Sequence, residues 1–216
     1  MTLADRYCAL LAEIQAIAEA AGRDPSSVQL IAVTKHAALD QMQQLYAAGC
    51  RHFGENKLQA ALPKIAELPQ DIQWHFIGPL QSNKVRKIVS HFTFIHSVGS
   101  LAIAQKIAEC SFELGKSPKI FLQVNTSEEP SKGGFSEEEL LKQFEQLLKL
   151  NLTVIGLMTM APLSSNTERV RACFSRLKSL RDRLSLPHLS MGMSQDYPIA
   201  IQEGATFLRI GSKLFN

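Results

Sequence analysis

The sequence predicts an α/β protein built as a single (β/α)8 barrel of the TIM type, with an extra helix at its N-terminus. Three observations predict it. Strand-like and helix-like segments alternate from one end of the 216 residues to the other. Eight strand candidates can be counted, each followed by a helix candidate, which is the count of a closed barrel. The spacing of the eight units is even, which favours closure over an open doubly wound sheet. The chain reads as one domain over residues 1–216. It is shorter than the roughly 250 residues typical of the fold, so tight loops and no inserted domain are expected.

The elements follow in order. Residues 2–21 set Leu3, Tyr7, Leu10, Ile14 and Ile17 on one helical face, and Gly22 stops them. The first strand is expected over 28–35. It is β-branched and almost continuously apolar, the pattern of a parallel strand covered on both faces. Further strands are expected at 51–54, 72–77, 93–97, 119–125, 153–158, 187–192 and 206–210. Helical stretches separate them at 38–48, 56–67, 80–90, 100–114, 136–149, 166–184 and 194–203, with a last one opening at Lys213. Alternating units of this kind force a parallel sheet with right-handed crossovers. The longest polar loop, from Asn125 to Phe135, reads either as a mobile lid or as a plain solvated connection.

Composition excludes several classes. The chain is 45% apolar and 20% charged, enough for one sizeable core. Net charge is +3 with acids and bases interspersed, so no face for nucleic acid is expected. Cys8, Cys50, Cys110 and Cys173 lie far apart and fit neither a disulfide framework nor a zinc site, which suggests a reducing compartment. No apolar run reaches membrane-spanning length. Asp5, Glu13 and Glu19 argue against a signal or transit peptide. A cytoplasmic protein with neither nucleic acid nor membrane as partner is the expectation. His52, His91, His96 and His188 show no metal-ligand spacing, and no metal is expected.

In this fold the chemistry sits at the C-terminal ends of the strands, and phosphate is commonly held after strands seven and eight. Lys35 closes the first strand. At such a mouth its ammonium is expected to be partly desolvated, making the amine a candidate nucleophile toward carbonyls. The bland alternative is a lysine that snorkels to solvent. The seventh and eighth strand ends read Ser190-Met191-Gly192-Met193-Ser194-Gln195-Asp196 and Arg209-Ile210-Gly211-Ser212. Each puts a glycine and then a hydroxyl at a helix start, with Ser194 suited to cap its helix and Pro198 tolerated close to that start.

Arg209 interrupts an otherwise buried strand. Closing the barrel places strand eight beside strand one, so Arg209 and Lys35 are expected to meet over the mouth; pairing of Arg209 with Glu55 is the structural alternative. Two cations above a phosphate nest suggest an anionic ligand that carries a carbonyl. Asn56 is placed either to bond a ligand oxygen or to cap a helix. His75 is a core histidine or a base. Met158 and Met160 read as packing, and Asn83 to Lys87 as a solvated helix face.

Six strings carry a family resemblance. They are Ala32-Val33-Thr34-Lys35, Gly54-Glu55-Asn56, His75 through Lys84, Gly156 through Met160, Ser190 through Asp196, and Arg209-Ile210-Gly211. In order, they resemble the motifs of the pyridoxal 5′-phosphate (PLP) homeostasis proteins, small PLP-binding barrels of fold type III related to the N-terminal domain of alanine racemase. The resemblance implies that Lys35 carries PLP as an internal aldimine. It implies that Ser194, with backbone at Gly211 and Ser212, holds the phosphate. Arg209 is implied to face the pyridine nitrogen and Asn56 the side of the ring's 3′-oxygen, with His75 and Met191 lining the pocket.

The implied role is to hold, buffer and hand over PLP and so to maintain vitamin B6 and amino- and keto-acid balance. No catalytic residue is assigned. Transient acceptors would be apo PLP-dependent enzymes, and a monomer is expected. The alternative is a PLP-dependent amino-acid racemase of narrow scope. It would need a second base opposite Lys35, and Tyr197 is the nearest candidate in sequence. An arginine at the pyridine nitrogen cannot supply the proton that makes PLP an electron sink, which favours the non-catalytic reading.

Overall fold

A computed structural model describes residues 1–216 except Glu128, Pro130, Ser131, Leu163, Ser165 and Asn216. Eight strands close into a barrel in sequence order, every neighbouring pair parallel. They are β1 (Gln29–Val33), β2 (His52–Glu55), β3 (Gln73–Phe76), β4 (Phe94–Val98), β5 (Lys119–Gln123), β6 (Thr153–Met158), β7 (His188–Ser190) and β8 (Phe207–Ile210). Helix α1 (Leu3–Ala20) precedes the barrel. The others follow the strands: α2 (Leu39–Ala47), α3 (Leu58–Glu67), α4 (Val85–His91), α5 (Leu101–Leu114), α6 (Glu137–Leu148), α7 (Thr167–Arg183), α8 (Tyr197–Gln202) and α9 (Ser212–Phe215). Parts of the Asn125–Phe135 loop lie outside the described residues, and with them the expectation of a lid.

Local chemistry accounts for the element ends. Thr2 and Asp5 form a capping box at the start of α1, and Ser136 and Glu139 form another at α6. Asn166 caps α7 through two backbone N–H groups. Gly115 ends α5 in the left-handed conformation.

Several strands are shorter than their apolar runs. β1 stops at Val33 rather than 35. The Thr34 N–H still bonds Gly54 O, but Ala37 N–H then bonds back to Thr34 O, and a turn takes Lys35 and His36 out of the sheet. Apolar periodicity reports burial, which continues past the point where the ladder ends.

Strand alternation divides the core into two layers. Ile31, Phe94, Phe121, Met158 and Phe207 fill the barrel's interior. Leu30, Ala32, Phe53, Trp74, Leu189 and Leu208 belong to the larger cluster between strands and helices. The closing seam pairs β1 with β8, Ile31 opposite Arg209 and Ala32 opposite Ile210. Helix α1 packs on α2, α8 and α9 beside that seam. There Glu13 of α1 accepts hydrogen bonds from the Tyr197 hydroxyl and from Lys213 Nζ.

Candidate functional site

Lys35 sits on the rim, one residue past Thr34, in an exposed turn. The expected desolvation of its amine is therefore not found, because the strand ends two residues earlier. What the structure fixes is its backbone. Lys64 Nζ donates to Thr34 O and to Glu55 Oε1, each at 2.7 Å, and the Thr34 hydroxyl donates to the same carboxylate oxygen at 2.7 Å. Glu55 is fully buried, so a paired carboxylate clamps the residue that carries Lys35.

Glu55 faces the helix layer and pairs with Lys64, so the alternative of an Arg209–Glu55 pair is ruled out. Asn56 follows directly. The N-cap of α3 is Lys57, so Asn56 is not that helix's cap. Its position is set by Gly78, whose added Cβ would lie 2.0 Å from the Asn56 carbonyl oxygen.

The loops after β7 and β8 meet. Lys213 N–H donates to Ser194 Oγ at 3.2 Å, which brings the two glycine-hydroxyl pieces together. Ser194 does not cap α8 as expected: the N-cap is Asp196, and Ser194 lies two residues earlier in a turn. The chain turns there through Gly192 at φ +96°, where a Cβ would come within 2.6 Å of Ala200 Cβ. Gly211 runs against β1 less tightly, its would-be Cβ 3.3 Å from Val33 O and Val33 Cβ. Ser212 opens α9, as expected of the hydroxyl at that position.

Arg209 lies deeper than the expected meeting over the mouth. It is level with Ile31, four residues before Lys35, and 5% exposed. Its Nη1 donates to Ser190 Oγ at 2.6 Å and its Nη2 to Thr159 O at 2.9 Å. Burial lowers its pKa to about 10, and the charge of Asp196 opposes that shift, so it stays a cation at neutral pH.

Below it runs a column of three histidines. His96 Nδ1 is 2.8 Å from Ser190 Oγ, His96 Nε2 is 2.9 Å from His75 Nδ1, and His75 Nε2 is 2.9 Å from His52 Nδ1. His75 stacks on Phe94 at 4.2 Å between ring centroids, and His96 on Phe121 at 4.3 Å. Burial holds His75 and His96 well below the usual histidine range. The neighbouring histidines push His75 the same way, and Arg209 does so for His96. His52, at the partly exposed end, is lowered by burial and by Lys119 to about 4.

Met191 is fully buried in the layer between strands and helices, with Leu189. Tyr197 is buried too, and its hydroxyl is engaged by Glu13 and Lys213. Sequence reasoning missed the column of Ser190, His96 and His52 and the Glu55–Lys64 clamp. The signal for the column was there: His52, His75 and His96 all fall on inward positions of three successive strands. Among the described residues, no group of three or more His, Cys, Asp or Glu is placed to hold a metal. No described helix is long and apolar enough to cross a membrane.

A closed (β/α)8 barrel with a lysine on its rim, a buried arginine beneath and a hydroxyl-glycine cradle across two loops defines a small-ligand barrel of the strand-end type. The chain belongs to the family of the alanine racemase N-terminal domain, whose model matches residues 7–216, and within it to the pyridoxal phosphate homeostasis proteins. It is 48% identical over 200 residues to the pyridoxal phosphate homeostasis protein of Synechocystis sp., covering 88% of this chain and 92% of that one. It is 45% identical to the protein of the same name from Pseudomonas aeruginosa over 99% of this chain and 95% of that one. Among solved structures, PipY of Synechococcus elongatus is 41% identical over the full length of both chains. The TM-score is 0.91 without PLP and 0.88 for the structure with PLP bound.

Proposed function

We propose that the chain binds pyridoxal 5′-phosphate at the barrel mouth and holds, buffers and releases it, without turning over a substrate. When bound, that cofactor supplies a reactive aldehyde, and holding it keeps the aldehyde from other amines. The observation that carries the reading is the Ser194–Lys213 hydrogen bond. It ties the two loops into one cradle, on the same barrel face as the Lys35 rim and above Arg209. The residues present fit the group. Gly192 leaves no room for a side chain and Gly211 runs tightly against Val33, so the two loops present backbone at the cradle, and the Ser194 hydroxyl and the Ser212 N–H are donors suited to a phosphate.

Each chain residue has a distinct task in this reading. Lys35 takes the aldehyde carbon through its amine. Ser194, Gly211 and Ser212 hold the phosphate. Arg209 presents a fixed cation to the ring nitrogen, and Asn56 approaches the ring's oxygen side. His75 and Met191, both fully buried, back the site rather than face its opening. Arg209 argues against chemistry that needs a protonated ring, since a guanidinium does not hand a proton to the ring. The racemase reading is not favoured: its candidate second base, Tyr197, is spent on Glu13 and Lys213. Proteins of this name in Synechocystis sp. and Pseudomonas aeruginosa support the same role. Four free thiols suit a reducing, cytoplasmic setting, and we read the protein as a monomer that passes its cofactor to apo PLP-dependent enzymes.

The test is direct. The purified chain should take up PLP and turn yellow, and borohydride reduction followed by peptide mass mapping should place the cofactor on Lys35. Lys35→Ala should lose the colour and retain part of the affinity. A main product on Lys57, Lys84 or Lys213 would overturn the assignment.

A further inference from the structure

The histidine column has a direction, and simple counting of donors and acceptors sets it. Arg209 carries only donors. Its Nη1 takes one lone pair of Ser190 Oγ, and among the described residues the other partner of that hydroxyl is His96 Nδ1. The serine's single proton therefore has one acceptor available, His96 Nδ1. Leaving it without one in this buried place would carry the full desolvation cost of the hydroxyl.

The rest follows ring by ring. With Nδ1 accepting, neutral His96 carries its proton on Nε2 and donates to His75 Nδ1. His75 then carries its proton on Nε2 and donates to His52 Nδ1. A proton added to any of these rings sets two N–H groups, or an N–H and an O–H, against each other. The charges facing the column, Arg209 at one end and Lys119 at the other, oppose such a proton as well.

We propose that Ser190, His96, His75 and His52 are positioning residues of the cofactor site. They act through Arg209 as one directional hydrogen-bond chain in which every donor points from Arg209 toward His52. This rests on the reading that Arg209 faces the cofactor ring. With its proton committed to His96, the Ser190 oxygen can only accept, and it fixes Nη1 while Thr159 O fixes Nη2. The remaining N–H groups of the guanidinium are left for the ligand in one orientation. The three neutral rings thus fix the serine that holds this buried cation, and among the described residues no carboxylate is hydrogen-bonded to it in competition with the ligand.

The experiment uses the full chain, ligand-free and loaded with pyridoxal 5′-phosphate, labelled with 15N at histidine. In the wild type at neutral pH the ring-nitrogen shifts should show His96 and His75 neutral and protonated on Nε2. Ser190→Ala should give His96 a mixture of tautomers. It should also move the pH midpoint of the bound cofactor's absorbance by half a unit or more. Ser190→Thr, which restores the hydroxyl, should restore both. His96 protonated on Nδ1 or doubly protonated in the wild type overturns the chain, whatever the variants do. Expected tautomers with a cofactor pH profile unmoved by Ser190→Ala overturn the positioning role. A wild type that takes up no cofactor overturns the functional reading and the positioning role with it, while the ring nitrogens of the ligand-free chain still decide the chain's direction.

Discussion

Lys35 and Arg209 are both out of place by composition, a lysine closing an apolar run and an arginine inside one, and that made them legible in the sequence. Their relation was not. Register places Arg209 beside Ile31, inside the barrel, while a turn lifts Lys35 to the rim. Strand lengths decide that offset, and apolar periodicity does not report them. Replacing Arg209 by Glu should let the ring nitrogen hold a proton. Slow keto-acid formation from added amino acids should then rise, and the cofactor's absorbance should change; an unchanged spectrum and background would mean that Arg209 does not face the ring. Lys64 is a second residue whose role depends on one neighbour. Lys64→Met leaves Glu55 buried without its cation, and urea unfolding should show a loss of roughly 3–5 kcal/mol.

At the scale of elements, the loops after β7 and β8 were legible because glycine followed by a hydroxyl at two expected strand ends is an unusual pairing. The capping role of Ser194 was read too locally. Its hydroxyl serves the neighbouring loop, a partner nineteen residues away that no spacing rule would supply. The histidine column escaped for a similar reason, since it needs three strands side by side before the rings can touch. Ser194→Ala should weaken PLP far more than pyridoxal and so narrow the affinity gap between the two, measured by absorbance titration. Equal effects on both ligands would remove Ser194 from the phosphate cradle. Gly192→Ala meets Ala200 at 2.6 Å in a left-handed conformation, and a loss of roughly 1–3 kcal/mol in thermal or urea unfolding is expected.

Over the whole molecule, eight alternating units gave the barrel, and strand order, parallel pairing and the leading helix all follow that reading. The polar interior gives the molecule a pH signature. His52, His75 and His96 are lowered in the folded state, so below about pH 6.5 the unfolded chain binds protons that the folded one refuses. Their stabilising contribution is present at neutral pH and is lost as pH falls, for His52 down to about 4. The unfolding free energy measured by urea titration should drop between pH 7 and pH 5, by roughly 1–2 kcal/mol for each histidine. His96→Phe should remove its share of the slope.

The seam between β1 and β8 also carries a consequence in time. It joins Gln29 to Phe207, and the Glu13–Lys213 contact spans 200 positions of the chain. Contacts so distant in sequence form late, after the costliest loop closure in the molecule. Lys35 belongs to the first strand's end and Arg209 to the last strand. On the ribosome, therefore, the nascent chain has its lysine exposed long before the arginine and the cradle emerge. Only completion of the eighth strand brings the Lys35 rim, the Arg209 cation beneath it and the two joined loops to one end of the barrel, so on the proposed reading a partly synthesised chain offers an amine but no binding site.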